Sequence, residues 1–151
     1  MIRLEPVTPD NWRERLEVRP DQAQFVAPTT TILARAWAYR DLRSRVFMIY
    51  HDETPVGMAL YHDYEDEELR CYVFDQLLID ARYQGNGYGK EALKLLIDFI
   101  RSAPCREAKY AWLCYNTANT VARNLYASVG FEEVPEAYDE EDDEMPAVLK
   151  L

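Results

Sequence analysis

Glycine is concentrated at one point of this sequence, where Gly85, Gly87 and Gly89 fall within five residues. A β-prone run, Phe74 to Ile79, comes just before them, and an amphipathic helical pattern comes just after. Glycine lets successive backbone N–H groups turn inward without a Cβ in the way. Because a helix start adds unsatisfied donors and a partial positive charge, this segment predicts a site for a phosphate-bearing ligand.

The spacing of the glycines fits the two common nucleotide-binding motifs poorly. A P-loop requires a glycine at position 84 and a hydroxyl at position 91, where this chain has Gln84 and Glu91. A dinucleotide-binding fingerprint has its third glycine one residue later and lies near the start of a βαβ unit. The pattern that the chain does contain is Gln-x-x-Gly-x-Gly.

That pattern resembles the pyrophosphate-binding motif of the GNAT acetyltransferases, which bind acetyl-coenzyme A (acetyl-CoA). Further along, Asn119 to Tyr126 leads into Gly130 and Phe131, which resembles the family's Asn-x-x-Ala-x-x-Leu-Tyr…Gly-Phe segment. The resemblance covers most of the chain from about Val46 onward. It implies an N-acetyltransferase that uses acetyl-CoA as its cosubstrate.

In that family the strand before the glycine loop is splayed from its neighbour, and its backbone binds the pantetheine and the acetyl carbonyl. The resemblance places this strand end at residues 77–79 of the present chain. The N–H of Ile79 is then the expected donor to the carbonyl oxygen, where negative charge develops in the transition state.

The resemblance makes Tyr126 the general acid that protonates the departing coenzyme A thiolate. Because the ordinary pKa of a phenol is about 10 and that of a thiol about 8.5, this transfer needs favourable geometry. Asn119, Arg123 and Tyr126 follow an i, i+4, i+7 spacing and so share one stripe of a helix. Asn119 is expected to contact the coenzyme and to cap that helix.

Several residues are candidates for the general base that takes a proton from the amine. Asp75 lies on the strand where some relatives carry an acid that acts through water. Strand alternation predicts that Asp75, Leu77 and Ile79 share one face. His62 and the acidic tracts of the chain are the other candidates.

The residues that the resemblance assigns to coenzyme binding come from three segments. They are Leu77, Leu78, Ile79, Gln84, Gly85, Asn86, Gly87, Tyr88, Gly89, Lys90, Asn119 and Arg123.

The formal net charge of −10 argues against a nucleic-acid partner, whose phosphates need a basic surface. Because coenzyme A is itself an anion, its attraction must come from backbone N–H groups together with Arg82, Lys90 and Arg123. The carboxylates concentrate at residues 63–68 and 139–144. Such tracts are either solvated loops or surfaces that attract a cationic substrate.

The 151 residues predict one domain, residues 1–151, which is long enough to bury a core without disulfides. Cys71, Cys105 and Cys114 have no paired spacing, and with only two histidines a metal site is not expected. The absence of a signal-peptide pattern and of a long apolar run predicts a soluble, cytoplasmic protein without a membrane partner. A homodimer is common among relatives, and no residue of the sequence decides it.

The periodicity predicts a helix that begins near Thr8 and further helices at 29–39, 87–102 and 118–128. Strands are predicted at 1–7, 46–50, 56–61, 69–79, 108–115, 131–134 and 147–151. Pro104 is expected to stop the third helix, and Gly130 is expected to cap the fourth. The resulting order, β-α-α-β-β-β-α-β-α-β-β, is a mixed α/β sheet that matches the GNAT layout.

The acceptor is the least determined part of the function. Val18, residues 24–27 and a helix with Ala36 and Tyr39 resemble the bacterial spermine/spermidine acetyltransferase branch, although a basic residue expected near Asp75 is missing. Polyamines are flexible polycations, which suits a chain rich in carboxylates and tyrosines. The sequence therefore predicts N-acetylation of a polyamine or of a related small cationic amine.

Other functions fit the same residues. The acceptor could instead be an aminoglycoside, an amino acid, or the N-terminus or a lysine of a protein. A non-catalytic acyl-CoA-binding module is a further alternative, although the presence of Tyr126 argues against it. The last alternative is an acidic interaction protein that binds no small ligand.

Overall fold

A mixed β-sheet organises the part of the chain that the computed structural model describes, namely residues 1–64, 70–102 and 108–151. Within those residues the strands are β1 (Ile2–Pro6), β2 (Arg45–His51), β3 (Thr54–Asp63), β4 (Cys71–Ile79), β5 (Tyr110–Asn116), β6 (Glu132–Glu133) and β7 (Glu144–Lys150). The α-helices are α1 (Thr29–Ala38), α2 (Tyr88–Arg101) and α3 (Thr120–Ser128). The mixed α/β class predicted from the sequence is confirmed.

The strands lie side by side in the order β1-β2-β3-β4-β5-β7-β6. All neighbours run antiparallel except β4 and β5, which run parallel because α2 carries the chain back between them. The predicted closing pair of strands is confirmed as β6 and β7. β7, the last strand of the chain, lies between β5 and β6 and is therefore not at the edge of the sheet.

Helices cover the sheet on both sides. On one side, which we call the α1 face, Ile32 of α1 packs with sheet residues that include Met48, Met58 and Leu78. On the other side, the α2 face, α2 and α3 pack over a larger cluster that includes Leu93. Because burying one large aliphatic side chain contributes about 1.5–3 kcal/mol, these two clusters hold the sheet rigid between the helices.

The strands β4 and β5 separate along their length. β4 is nine residues long, but only Cys71 to Val73 pair with β5. Beyond the pair of Val73 with Trp112, the remaining edge of β4 has no ladder partner in β5. This is the splayed strand that the family resemblance implies, and it opens a gap through the sheet at the end of β4.

A β-bulge in β4 changes the direction of its side chains. The ladder between β4 and β3 skips Asp75, which is therefore the extra residue of the bulge. Asp75 bonds with Arg35 of α1, whereas Leu77 and Ile79 pack on the α2 face. The prediction that these three β4 residues share a face is wrong, because strict alternation does not continue across a bulge.

The helix predicted to begin near Thr8 does not form, and residues 9–13 make turns instead. The side chain of Asn11 accepts from the Thr8 N–H at 2.8 Å and donates to the Pro6 carbonyl at 3.2 Å. Such local bonds offer the backbone an alternative to helix. The order therefore contains one α-helix, rather than two, between β1 and β2.

The other three helices agree with the sequence prediction to within two residues at each end. The predicted stop at Pro104, the thiol of Cys105, residues 65–68 of the first acidic tract and the first residue of the strand predicted at 69–79 lie outside the described residues.

Candidate active site

A cavity of about 520 Å³ lies at the open end of β4. Its walls are the end of β4, the glycine loop, the start of α3 and the N-terminal segment 18–26. The predicted site residues that line it are Leu77, Leu78, Ile79, Gln84, Gly85, Gly87, Tyr88, Gly89, Lys90, Asn119 and Tyr126. Three predicted residues, Asp75, Asn86 and Arg123, do not line it.

The cavity reaches both faces of the sheet. Val18 and Val26 in its wall pack with the cluster on the α1 face, whereas Leu125 and Tyr126 pack with the cluster on the α2 face. The gap between β4 and β5 makes this possible, because a continuous ladder would close the passage. A ligand in the gap can therefore be reached from either side of the sheet.

The backbone of β4 directs N–H groups into the gap. The N–H of Asp80 donates to the Val56 carbonyl of β3 at 2.8 Å, which fixes the direction of that amide. Amides alternate along a strand, so the N–H groups of Ile79 and Leu77 point away from β3, toward the gap. This is the direction that the expected donor role of Ile79 requires, and the role itself stays a prediction.

The glycine loop has the backbone that an anion site needs. Gly85 and Gly87 have φ of 81° and 80°, a left-handed conformation that only glycine adopts without strain. Gly87 is the N-cap of α2 and provides no side-chain cap, so the first amides of the helix stay available to a ligand. The side chain of Asn86 donates to the Tyr83 carbonyl at 2.9 Å, which holds the loop but points away from the cavity lining.

Gln84 ties the loop to two other segments. Its Nε2 donates to the Ile79 carbonyl and to Oε1 of Gln22, both at 2.8 Å. The segment 18–26 is thereby fastened across the mouth of the cavity. Gln84 therefore acts structurally in this conformation, and its predicted contact with a pyrophosphate stays a prediction.

Lys90 and Arg19 line the cavity wall, and Arg19 also forms a long, exposed ion pair with Asp21 at 3.6 Å. Arg82 was predicted to help, but it forms an ion pair with Asp80 at 2.8 Å. Arg19 was missed because it belongs to no motif, and the sequence gives no sign that the segment before α1 folds over the glycine loop.

Tyr126 presents its phenol to the cavity from α3. Among the described residues its hydroxyl has no hydrogen-bond partner, and burial of the ring raises its pKa to about 12. The group is therefore a neutral proton donor throughout the physiological range. Asn119, about two helical turns earlier, lines the same cavity and caps α3, since its Oδ1 accepts from the Ala122 N–H at 3.2 Å.

Comparison with known proteins identifies the family to which this chain belongs. Residues 5–131 match the model of the acetyltransferase (GNAT) family. The chain belongs to the GNAT family. It is therefore an acetyl-CoA-dependent acyltransferase, and the cavity at the splayed strand of this GNAT domain is its candidate active site.

One curated relative extends the comparison along most of the chain. The spermine/spermidine N(1)-acetyltransferase of Bacillus subtilis is 29% identical over 136 residues, which cover 87% of this chain and 88% of the relative.

Two solved structures share the GNAT fold closely. A spermidine N-acetyltransferase from Vibrio cholerae, in complex with CoA and spermine, has a TM-score of 0.77 at 15% identity, covering 99% of this chain and 95% of that one. An aminoglycoside acetyltransferase in complex with coenzyme A has a TM-score of 0.75 at 16% identity, with the same coverage. At these identities the likeness shows the fold alone.

The residues of this GNAT domain fit acetyl-CoA as the bound cosubstrate. The glycine loop offers amides and Lys90 for phosphate, and the absence of a Cβ at Gly89 leaves room beside Ile79. In the described part of the chain no group of three His, Cys, Asp or Glu side chains could hold a metal ion. The described helices include none that is long and apolar enough to cross a membrane.

Asp75 lies on the α1 face of this GNAT domain, inside a network of charges. It pairs with Arg35 and with Nε2 of His62, each at 3.1 Å. Burial raises the pKa of Asp75, but the hydrogen bond from His62 and the charge of Arg35 outweigh burial and hold it below its usual value. The assignment of Asp75 as a general base stays a prediction, and these contacts favour a permanently ionised carboxylate instead.

His62, the alternative base, is also engaged at both nitrogens. Its Nδ1 lies 2.7 Å from the Asp63 carbonyl, and its ring stacks on Tyr39, the C-cap of α1, with centroids 4.6 Å apart. Both nitrogens face acceptor oxygens, which favours the doubly protonated ring. Burial lowers the pKa of His62, but the bonds to Asp75 and Asp63 outweigh burial and raise it.

Carboxylates gather near Glu144, at the end of β5, and this group also interacts with the charges of Arg35 and Asp75 on the α1 face. Glu144 begins β7 opposite Asn116, and its carboxylate has no ion-pair partner among the described residues. Burial and then the charges of Asp142 and Asp139 raise the pKa of Glu144. An anion in this setting is stabilised by any cation that reaches it.

Proposed function

We propose that this GNAT acetyltransferase transfers the acetyl group of acetyl-CoA to a primary amine of a polyamine such as spermidine or spermine. The observation that carries the proposal is the similarity to the Bacillus subtilis spermine/spermidine N(1)-acetyltransferase, which extends over 87% of the chain. At 29% identity, that similarity supports the substrate class rather than one particular amine.

The distribution of charge across the sheet supports a cationic acceptor. Arg19 and Lys90 line the cavity, while Glu144 lies outside its lining, within range of the charges of Asp139 and Asp142. An anionic cosubstrate and a polycationic acceptor would therefore enter from sides of matching potential. Glu144 is the residue we expect to hold an ammonium group of the acceptor.

In the proposed mechanism the chain orients the two substrates and manages charge at two atoms. Acetyl-CoA supplies an acetyl group activated as a thioester. The Ile79 N–H, directed into the gap, donates to the acetyl oxygen as negative charge develops there. The Tyr126 hydroxyl gives its proton to the departing thiolate sulfur. The neutral amine attacks the acetyl carbon, the C–S bond breaks, and the proton released from the amine nitrogen passes to solvent, from which the Tyr126 oxygen regains its own proton. This direct attack in a ternary complex requires both substrates at once, which the two-sided cavity permits.

Thiol release from acetyl-CoA with a panel of amines tests the acceptor. The panel contains spermidine, spermine, putrescine, an aminoglycoside, a free amino acid and a lysine peptide. Saturable turnover confined to the polyamines supports the proposal. Turnover with a different amine, or equal rates with neutral and cationic amines, overturns the polyamine assignment while keeping the acyltransferase.

Tyr126→Phe tests the proposed general acid. Losing a general acid costs about 10²-fold or more in rate, so turnover should fall by that factor while acetyl-CoA binding is retained. Tyr110→Phe, which removes an exposed phenol from β5, is the matched control and should leave turnover unchanged. Normal turnover by Tyr126→Phe would remove this residue from the mechanism.

Glu144→Gln tests the proposed contact with the acceptor. Removing one screened charge contact should raise the KM for spermidine about five- to ten-fold, since 1.4 kcal/mol corresponds to a factor of ten. The KM for acetyl-CoA should not change. Glu136→Gln, at an exposed carboxylate in the turn between β6 and β7, is the control. An unchanged KM for spermidine would exclude Glu144 from acceptor binding.

The remaining assignments are proposals that rest on the sequence. They are a single domain, a cytoplasmic location, the absence of nucleic-acid and membrane partners, and a homodimer. Light scattering at two protein concentrations tests the last of these.

A further inference from the structure

We propose that Tyr115, Glu133 and Arg123 form a bracket that positions the Tyr126 hydroxyl for proton transfer. The inference rests on the proposed role of Tyr126 and assigns a role to three residues outside the cavity lining. It also replaces the predicted role of Arg123 in coenzyme binding with a positioning role.

The Tyr126 hydroxyl depends on ring packing for its position, because it has no hydrogen-bond partner among the described residues. Two aromatic rings hold the phenol. Tyr115 of β5 stacks on it with centroids 5.9 Å apart and planes 17° apart, and Phe131 meets it edge-on at 5.8 Å. A small tilt of the Tyr115 ring would therefore move the Tyr126 hydroxyl relative to the gap.

Tyr115 is itself fixed at its far end. Its hydroxyl donates to Oε1 of Glu133 at 2.6 Å, the short length of a bond to a charged acceptor. The bond stabilises the ionised carboxylate, so the pKa of Glu133 is held below its usual value by Tyr115 and by Arg123. Burial and this bond raise the pKa of Tyr115, which therefore remains a donor at physiological pH.

Arg123 completes the bracket from the same helix as Tyr126. Its Nε and a terminal nitrogen lie 2.7 Å and 2.9 Å from the two oxygens of Glu133, a two-point pairing that fixes the carboxylate plane. Arg123 precedes Tyr126 by three residues, so the contacts form a closed ring through α3, β6 and β5. The guanidinium is consumed by this pairing, which explains why Arg123 does not line the cavity.

The turn after α3 adds a second connection to the same ring. Gly130, with φ of 105°, lets its N–H reach the Ala127 carbonyl while the Phe131 N–H reaches the Tyr126 carbonyl, each at 3.1 Å. This Schellman motif brings Phe131 against the phenol and leads directly into β6, where Glu133 lies. The Tyr126 ring is thus held on one side by a backbone turn and on the other by the bracket.

The three members should not matter equally. The side chain of Arg123 is 46% exposed and that of Glu133 is 27% exposed, and exposed ion pairs are weak. The bond between Tyr115 and Glu133 is charge-assisted and partly buried, so it should carry most of the effect. We therefore expect Tyr115→Phe and Glu133→Gln to act more strongly than Arg123→Gln.

A double-mutant cycle with Tyr126→Phe tests the bracket. Tyr115→Phe keeps the stacked ring but loses the bond to Glu133. Because small misplacement of a reacting group costs up to about 10²-fold, we expect kcat to fall about ten-fold while the KM for acetyl-CoA changes less than about two-fold. In the Tyr126→Phe background the same substitution should have no further effect on kcat. Tyr110→Phe, on the same strand, should be neutral in both backgrounds.

Two results would overturn the bracket: an equal loss of kcat in both backgrounds, which is a general structural effect, or no loss in either. If Tyr126→Phe alone retains full turnover, the role of Tyr126 fails together with the bracket.

A readout without turnover separates the bracket from the acyltransfer proposal. The ring ¹³C signals of Tyr126, assigned by their loss in Tyr126→Phe, should shift in Tyr115→Phe and less in Arg123→Gln. Signals that remain in place would refute positioning even if no amine were acetylated.

Discussion

At Gly89, the requirement of the fold for glycine can be tested separately from the requirement of a bound ligand. Unlike Gly85 and Gly87, it has no positive φ and lies in the first turn of α2. A Cβ built at this position would lie 3.5 Å from Cγ1 of Ile79 and 3.7 Å from Cδ2 of Leu125, which is ordinary van der Waals contact. The fold therefore has no need of glycine here, yet the position lines the coenzyme cavity.

Gly89→Ala should consequently stabilise the ligand-free protein and weaken acetyl-CoA binding. Alanine is favoured over glycine in a helix by up to about 1 kcal/mol, which corresponds to a rise of about 2–4 °C in Tm for a chain of this size. The added methyl group narrows the wall where a ligand would approach the loop backbone. We expect the Kd for acetyl-CoA to rise about ten-fold, equivalent to 1.4 kcal/mol.

Calorimetric unfolding without ligand and isothermal titration with acetyl-CoA measure the two effects separately. Gly87→Ala is the control, because its left-handed φ should make alanine cost about 1–2 kcal/mol of stability. A lower Tm for Gly89→Ala would show that the fold needs glycine at this position. Unchanged binding of acetyl-CoA would show that the ligand does not need it. Either result would refute the reasoning.

Two further predictions follow from charged groups around the site. Arg19→Gln should raise the KM for acetyl-CoA about three- to ten-fold with kcat unchanged, whereas Arg13→Gln, whose guanidinium stacks on Trp12, should change neither. The pKa of His62 is raised in the folded protein. Its bonds therefore stabilise the fold fully at pH values below 6.5, the pKa in the unfolded chain, and this stabilisation is lost as the pH rises through the higher pKa of the folded state. His62→Gln should therefore lower the unfolding free energy by about 1–3 kcal/mol at pH 6 and by less at pH 9, and a constant difference in urea titrations would contradict this.

Much of the coenzyme side of the site could be predicted because local rules govern it. The glycine loop follows from backbone conformations that few other residues adopt, and its strand and helix follow from periodicity. Tyr126 and Asn119 share a helix, so their spacing alone placed them on one side of it. Such features depend on neighbours in the chain, which the sequence displays directly.

The charged residues could not be predicted in the same way. Arg82 and Arg123 looked available for phosphate, but Asp80 and Glu133 pair with them. Ion-pair choice depends on which carboxylates the fold brings close, and for Arg123 the partner lies ten residues away on another element. Arg19 entered the cavity wall only because the segment before α1 folds back over the loop.

The position of Asp75 could not be predicted from the sequence either, because it lies at a bulge in β4. One extra residue in β4 turns this carboxylate toward Arg35 and His62, although alternation would have aimed it with Leu77 into the other face. Nothing in the composition of β4 marks the bulge, because it arises from pairing with β3. A general base predicted from strand alternation alone is therefore placed on the wrong face when the strand contains a single extra residue.

A chain of net charge −10 can hold an anionic cosubstrate because positive groups line the cavity, whereas no carboxylate is part of its lining among the described residues. On the coenzyme side, backbone amides of the glycine loop and the charges of Lys90 and Arg19 act over a few ångströms. On the other side of the gap, Glu144 and the tract around it set a negative potential that extends about 8 Å into physiological salt. The excess acid then opposes the coenzyme only weakly, and under the proposed function it would concentrate a polycationic acceptor near the gap. If the acceptor is a polyamine as proposed, overall charge and local charge act on different substrates, which would meet at the splayed strand.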